Sequence, residues 1–195
     1  MLKERLRQTI IISNKQIVTL GICVALALIL SAFTLIFSAI GAPMAIELTF
    51  FTYLIAWRRV NVFYGFVVLT ISTWMRMLYI PDPFGGAGVL TLFVSDLSQF
   101  FFFVVAWYIF GLIRKLNTEK SVVKFIIAYL VAMIFTIIIM TLFVIYFLIP
   151  TLIPTLMDVP NWQYYYFFSG LIGNTIKYSV NLIIFIPIYT LLPKL

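Results

Sequence analysis

Apolar residues come along this chain in long unbroken runs, and polar residues come in short clusters between them. A helix that crosses a bilayer core of about 30 Å needs about 20 apolar residues. On that length the pattern predicts six helical spans, over residues 17–40, 44–57, 60–80, 89–113, 122–149 and 169–192. The first ends at Gly41-Ala42-Pro43, and the short second is followed by the basic turn Arg58-Arg59. Pro81-Asp82-Pro83 and Gly85-Gly86-Ala87-Gly88 make a loop before the fourth, because both residue types interrupt helices. Arg114, Lys115, Glu119 and Lys120 follow the fourth. Pro150, Pro154 and Pro160 are expected to break the stretch before the sixth, which also holds Asp158 and Trp162. Residues 1–16 form a basic arm in which Leu2, Leu6 and Ile10 suit a short interfacial face, and residues 17–195 form one membrane domain. The apolar run after Lys15 is too long for a signal-peptide core and does not end in an A-x-A site.

Composition agrees with the pattern. Hydrophobic residues make up 64% of the chain and charged ones 10%, against about a quarter charged in soluble domains. The expected fold class is therefore an all-α integral membrane protein, a six-transmembrane-helix bundle. Charge sets its orientation. With the N-terminus inside, the inner segments hold Lys3, Arg5, Arg7, Lys15, Arg58, Arg59, Arg114, Lys115, Lys120, Lys124 and Lys194. The outer loops hold only Asp82 and Asp158. Cationic loops stay in the cytoplasm, so both termini are expected inside, in a multi-pass protein of the cell membrane. The excess of 13 Lys+Arg over 6 Asp+Glu then needs no nucleic acid to explain it.

The chemistry available is narrow. There is no histidine, and the lone cysteine, Cys23, lies in the first span. Zinc sites of the HExxH or CxxC kind, disulfide frameworks and His-based nucleophiles are excluded. No metal site, cofactor or catalytic residue is expected.

Four ionisable residues fall within spans: Glu47, Arg76, Asp96 and Lys177. Such groups are costly in a bilayer and usually face the bundle interior or a water-filled cavity. Counted from the nearest outer span end, all four sit roughly 4–12 Å below the outer surface at about 1.5 Å per residue. A shared level on four helices suggests one polar pocket open to the outside. The competing reading is that each side chain snorkels to the outer headgroups. Arg76 and Glu47 are close enough for that. Asp96 is too short to do so easily, and Lys177 would lie on the side where the chain places no other lysine. In span one, Gly21-x-x-x-Ala25 permits close approach of another helix, either from this bundle or from a partner.

Several segments resemble the S component of an energy-coupling factor (ECF) vitamin transporter. In span one, Gly21-Ile-Cys-Val-Ala25-Leu-Ala-Leu-Ile-Leu30 is similar to the family's Ala-x-x-x-Ala signature and its Ala-Leu-rich continuation. The end of span five, Leu142-Phe-Val-Ile-Tyr-Phe-Leu-Ile-Pro-Thr151, resembles an Asn-Tyr-Phe, Ile-Leu-Pro stretch. Asn174-Thr-Ile-Lys177 in span six resembles the Asn-x-x-Lys of riboflavin and folate members, and Gly85-Gly86-Ala87-Gly88 a loop of the riboflavin group. Gly173 and Tyr178 depart from the family's Phe and Gly at the flanks of that motif. Arg58-Arg59 is closer to thiamine members.

The resemblance implies a six-helix protein that performs no chemistry. It captures a vitamin outside, riboflavin first, with folate and thiamine as alternatives. A transmembrane T protein and two ATPases then power release inside. It implies Asn174 and Lys177 as donors to ring carbonyls or tail oxygens, and Asp96 as an acceptor for ribityl hydroxyls. Glu47 and Arg76 complete the expected substrate-binding set, and Gly21 and Ala25 the coupling interface. Trp74, Tyr79, Trp162 and Tyr164–Tyr166 suit either a flat ligand or a membrane-interface belt. Two readings of other classes remain: a membrane-embedded lipid-modifying or peptide-cleaving enzyme, and a structural subunit without a small ligand. The missing histidines and paired carboxylates weigh against the first, the clustered ionisable groups against the second.

Overall fold

The computed structural model describes residues 12–39, 48–76, 87–114 and 122–191. Every regular element among them is helical. The longer ones, in chain order, are α1 (Asn14–Ala39), α2 (Phe50–Arg59), α3 (Val62–Arg76), α4 (Ala87–Arg114), α5 (Val122–Phe143) and α6 (Trp162–Leu191). Four segments, Asn14–Phe33, Leu90–Gly111, Val122–Leu152 and Trp162–Ile188, are long and apolar enough to cross a membrane, and Val62–Arg76 is a shorter apolar helix. The expected second and third spans run into 44–47 and 77–80, which lie outside the described residues, as do Glu47, Tyr79, Asp82 and Gly85-Gly86.

The helices close into a ring. α1 packs on α3, α3 on α4, α4 on α5, α5 on α6, α6 on α2, and α2 back on α1 and α3. The short α2 lies deepest, with Phe50 through Ala56 all buried. A helix apolar on every side must be surrounded by protein or lipid, and here protein surrounds it. Phe50 meets the rings of Tyr53, Phe100, Phe103 and Tyr178 edge-on. Gly65 of α3 lets this layer close, since a Cβ there would come within 2.7 Å of Phe100 Cζ and 3.2 Å of the Tyr53 carbonyl. The outer surfaces carry Ile22, Ile29, Phe33, Ile127, Ile134, Ile138 and Ile183, as a lipid-facing wall requires.

The largest departures from the sequence reading follow the prolines. α5 continues past 149 through a π-helical turn, Val144–Leu148, and then Ile149–Leu152. Pro150 has no N–H for the carbonyl four residues back, and its ring crowds that carbonyl. In the wider turn just before it, the Ile149 N–H reaches the Val144 carbonyl, so the helix continues instead of ending. A 3₁₀ turn, Pro154–Asp158, follows. Asn161 then takes a left-handed conformation, φ 58°, and its carbonyl accepts from the Tyr165 N–H. α6 therefore begins at Trp162, seven residues before the expected start at 169. Pro160 lies before this helix and does not disturb it.

Candidate polar site inside the bundle

Helical spacing assembles the site from three elements. On α3, Thr73 and Arg76 are three residues apart and share a face. On α4, Ser95, Asp96 and Gln99 share another, and on α6 Lys177 and Asn181 a third. These faces are buried among apolar side chains, so their polar atoms need partners within the protein, on the same helix or across the helix contacts.

They do so in two adjacent groups. The Asp96 Oδ2 accepts from Thr73 Oγ1 at 3.2 Å and from an Arg76 guanidinium nitrogen at 3.3 Å. One turn further along α4, the Gln99 Oε1 accepts from the Lys177 ammonium at 2.6 Å. The Gln99 amide in turn donates to Ser95 Oγ at 3.3 Å. Asn181 extends the seam: its Nδ2 donates to the Lys177 carbonyl at 2.7 Å, and its Oδ1 accepts from the Phe51 backbone N–H at 2.9 Å. A polar seam thus runs from α3 through α4 and α6 to α2.

Burial decides between the two readings of the ionisable groups. Arg76, Asp96 and Lys177 are 7%, 6% and 8% exposed. Side chains snorkelling to headgroups would be exposed, so all three face the bundle. The basis for their shared level changes, however. Lys177 lies fifteen residues beyond the observed start of α6, so counting from the expected start at 169 misjudges its place along the helix. Hydrogen bonding across helix contacts brings it to the turn after Asp96. Asn174 is half-buried, and its side chain makes no hydrogen bond among the described residues. It shares the Lys177 face at a spacing of three without joining Asp96. Glu47 lies outside the described residues.

Gln99, Thr73 and Asn181 were absent from the sequence-derived set. Each sits three or four residues from an ionisable residue on the same helix, and that spacing was the signal that could have found them. The outer aromatics divide differently from the ligand reading. Trp74 turns outward beside Phe93, and Tyr164 and Tyr165 are largely exposed, as an interface belt requires.

On α1, the inward face is Cys23, Ala27 and Ser31 at a spacing of four. Gly21 and Ala25 lie on the exposed side, and a Cβ added at Gly21 would meet nothing within 4 Å. Their small size is therefore not used for packing among the described helices.

Over residues 15–189 the chain matches the family model described as ECF transporter, substrate-specific component. No curated protein and no solved structure matches it.

Proposed function

Because the chain belongs to the family of substrate-specific components of ECF transporters, we propose that it captures riboflavin from outside the cell and presents it to an ATPase-driven module. The family is one of membrane-embedded, substrate-binding transporter subunits, not enzymes. The vitamin, the site residues, the orientation and the coupling partners are the proposal.

The observation that carries it is the buried pairing of Lys177 with Gln99, one turn from Asp96 held by Arg76. A ligand entering the bundle loses its water, so each of its polar atoms needs a protein partner there. Lys177 and Asn174 supply donors for ring carbonyls or tail oxygens, and Asp96 supplies an acceptor for hydroxyls. Arg76 donates to Asp96 and fixes its direction. Glu47, in the segment leading to α2, is the fifth member of the set. The Asn-x-x-Lys spacing of 174 and 177 favours a flavin-type ligand over thiamine. Release needs work from outside this chain, since it carries no nucleotide-binding motif. A transmembrane T protein with two ATPases fits that need, docking on the exposed small-residue face at Gly21 and Ala25.

The test is riboflavin binding to the purified protein in detergent, read by quenching of flavin fluorescence. Lys177→Met should weaken binding about ten- to more than a hundredfold, the equivalent of about 1.5–3 kcal/mol for a hydrogen bond to a charged group. Unchanged affinity in that variant, with wild-type binding intact, would remove Lys177 from the site.

A further inference from the structure

We propose that Gln99 is a positioning residue that holds the Lys177 ammonium in place and yields it to an acceptor atom of the ligand. This rests on Lys177 serving as a ligand contact.

The geometry is specific to a carboxamide. A buried ammonium needs acceptors only, and a glutamine has one acceptor end and one donor end. Gln99 turns its oxygen to Lys177 at 2.6 Å and its amide nitrogen to Ser95 Oγ at 3.3 Å. The ammonium can only donate, so it selects the oxygen end of the carboxamide, and Ser95, one turn back on the same helix, accepts from the other end. Gln99 is 8% exposed, and Phe100 beside it is fully buried in the aromatic layer, which leaves the side chain little freedom to turn. The Ser95–Gln99 pair therefore aims one neutral oxygen across the α4–α6 contact.

Neutrality matters for hand-over. A hydrogen bond from an ammonium to a neutral carbonyl is weaker than a buried ion pair with a carboxylate. A ligand carbonyl or hydroxyl oxygen can replace the Gln99 oxygen at nearly equal strength, whereas it could not displace a carboxylate. Gln99 thus sets both the resting position of the ammonium and the kind of ligand atom that can claim it, an uncharged oxygen acceptor.

Two variants of similar size separate this role from simple packing. Lys177 modification by acetic anhydride, read by peptide mass spectrometry on the full-length protein without ligand, should slow at least about fivefold in Gln99→Glu. It should quicken at least about threefold in Gln99→Met, which offers no acceptor. A packing role would shift both variants in the same direction, and that result, or wild-type rates in both, would overturn the proposal. Riboflavin titrated into Gln99→Glu should bind at least about tenfold more weakly than into wild type, because the ammonium is not released. Wild-type affinity there would also overturn it. If the unmodified protein binds no riboflavin, the vitamin assignment fails, and the opposite shifts in labelling still decide the role of Gln99.

Discussion

The Asn181 carboxamide oxygen lies 2.9 Å from the backbone nitrogen of Phe51 and accepts its hydrogen, tying the start of α2 to the middle of α6. The first N–H groups of a helix have no partner within it. Thr49, just before α2, makes no side-chain capping bond. In water that first turn would be solvated, but α2 is buried from its first residue. Asn181 supplies the missing acceptor from another helix, and its own amide is satisfied by the Lys177 carbonyl.

Asn181→Leu removes both bonds and strands the Phe51 N–H in an apolar layer. Hydrogen bonds between membrane helices average about 0.6 kcal/mol and reach about 1.7. The expected loss of stability is about 1–3 kcal/mol, measured by reversible unfolding in mixed micelles. No measurable loss would mean that the bond to Phe51 contributes nothing.

The Arg76–Asp96 pair makes a sharper case, because both charges are buried and lie 3.3 Å apart. A charge at the centre of a membrane helix costs about 2.5–3.5 kcal/mol on insertion scales. Asp96→Leu and Arg76→Met should each destabilise the protein by an amount of that order, and each should reduce its yield from membranes. The double variant should recover at least about 1 kcal/mol of the summed losses. Strict additivity in this cycle would show that the 3.3 Å contact is not energetically coupled.

The sequence made the apolar helices legible because membrane spans leave a long and unambiguous signal. It also made Arg76, Asp96 and Lys177 legible, since ionisable residues inside such runs have few acceptable positions. Gln99, Thr73 and Asn181 escaped because an uncharged polar residue in a span carries no comparable penalty, and its role appears only when neighbouring helices are in place. The start of α6 escaped for a different reason. Pro160 marks a turn, but a proline just before a helix does not say how soon the next one starts. The side of α1 that faces inward was also illegible, because Gly21-x-x-x-Ala25 and Cys23-x-x-x-Ala27 are equally small. Packing buries only the second pair.

Orientation can be read with one introduced thiol. Asp158 is exposed at the end of the 3₁₀ turn before α6, and the native Cys23 is buried. In Asp158→Cys, an impermeant maleimide should label intact cells, and labelling should be weak in inside-out vesicles. This follows if the loops that carry the basic residues lie in the cytoplasm, as the positive-inside rule expects. Labelling confined to inside-out vesicles would overturn the proposed orientation.

Coupling should be separable from binding, and α1 supplies the means. Gly21 and Ala25 are exposed among the described residues, so Gly21→Trp with Ala25→Trp adds bulk to an outward face. The two substitutions leave the Lys177–Gln99 and Arg76–Asp96 contacts untouched, so riboflavin affinity should stay within about twofold of wild type. A partner helix that needs close backbone approach would be held off by two indoles. Co-purification with a T protein and its ATPases should be lost, and uptake with it. Ala27, 0% exposed and on the opposite face of the same helix, provides the contrast. Ala27→Trp must force α1 away from the bundle, and overpacking of this kind costs about 1–3 kcal/mol or more, so that variant should lose stability and binding together. If the Gly21 and Ala25 double variant instead loses binding as Ala27→Trp does, its outward face is not free in the folded protein. If it binds riboflavin and still assembles with the module, docking takes place elsewhere on the chain.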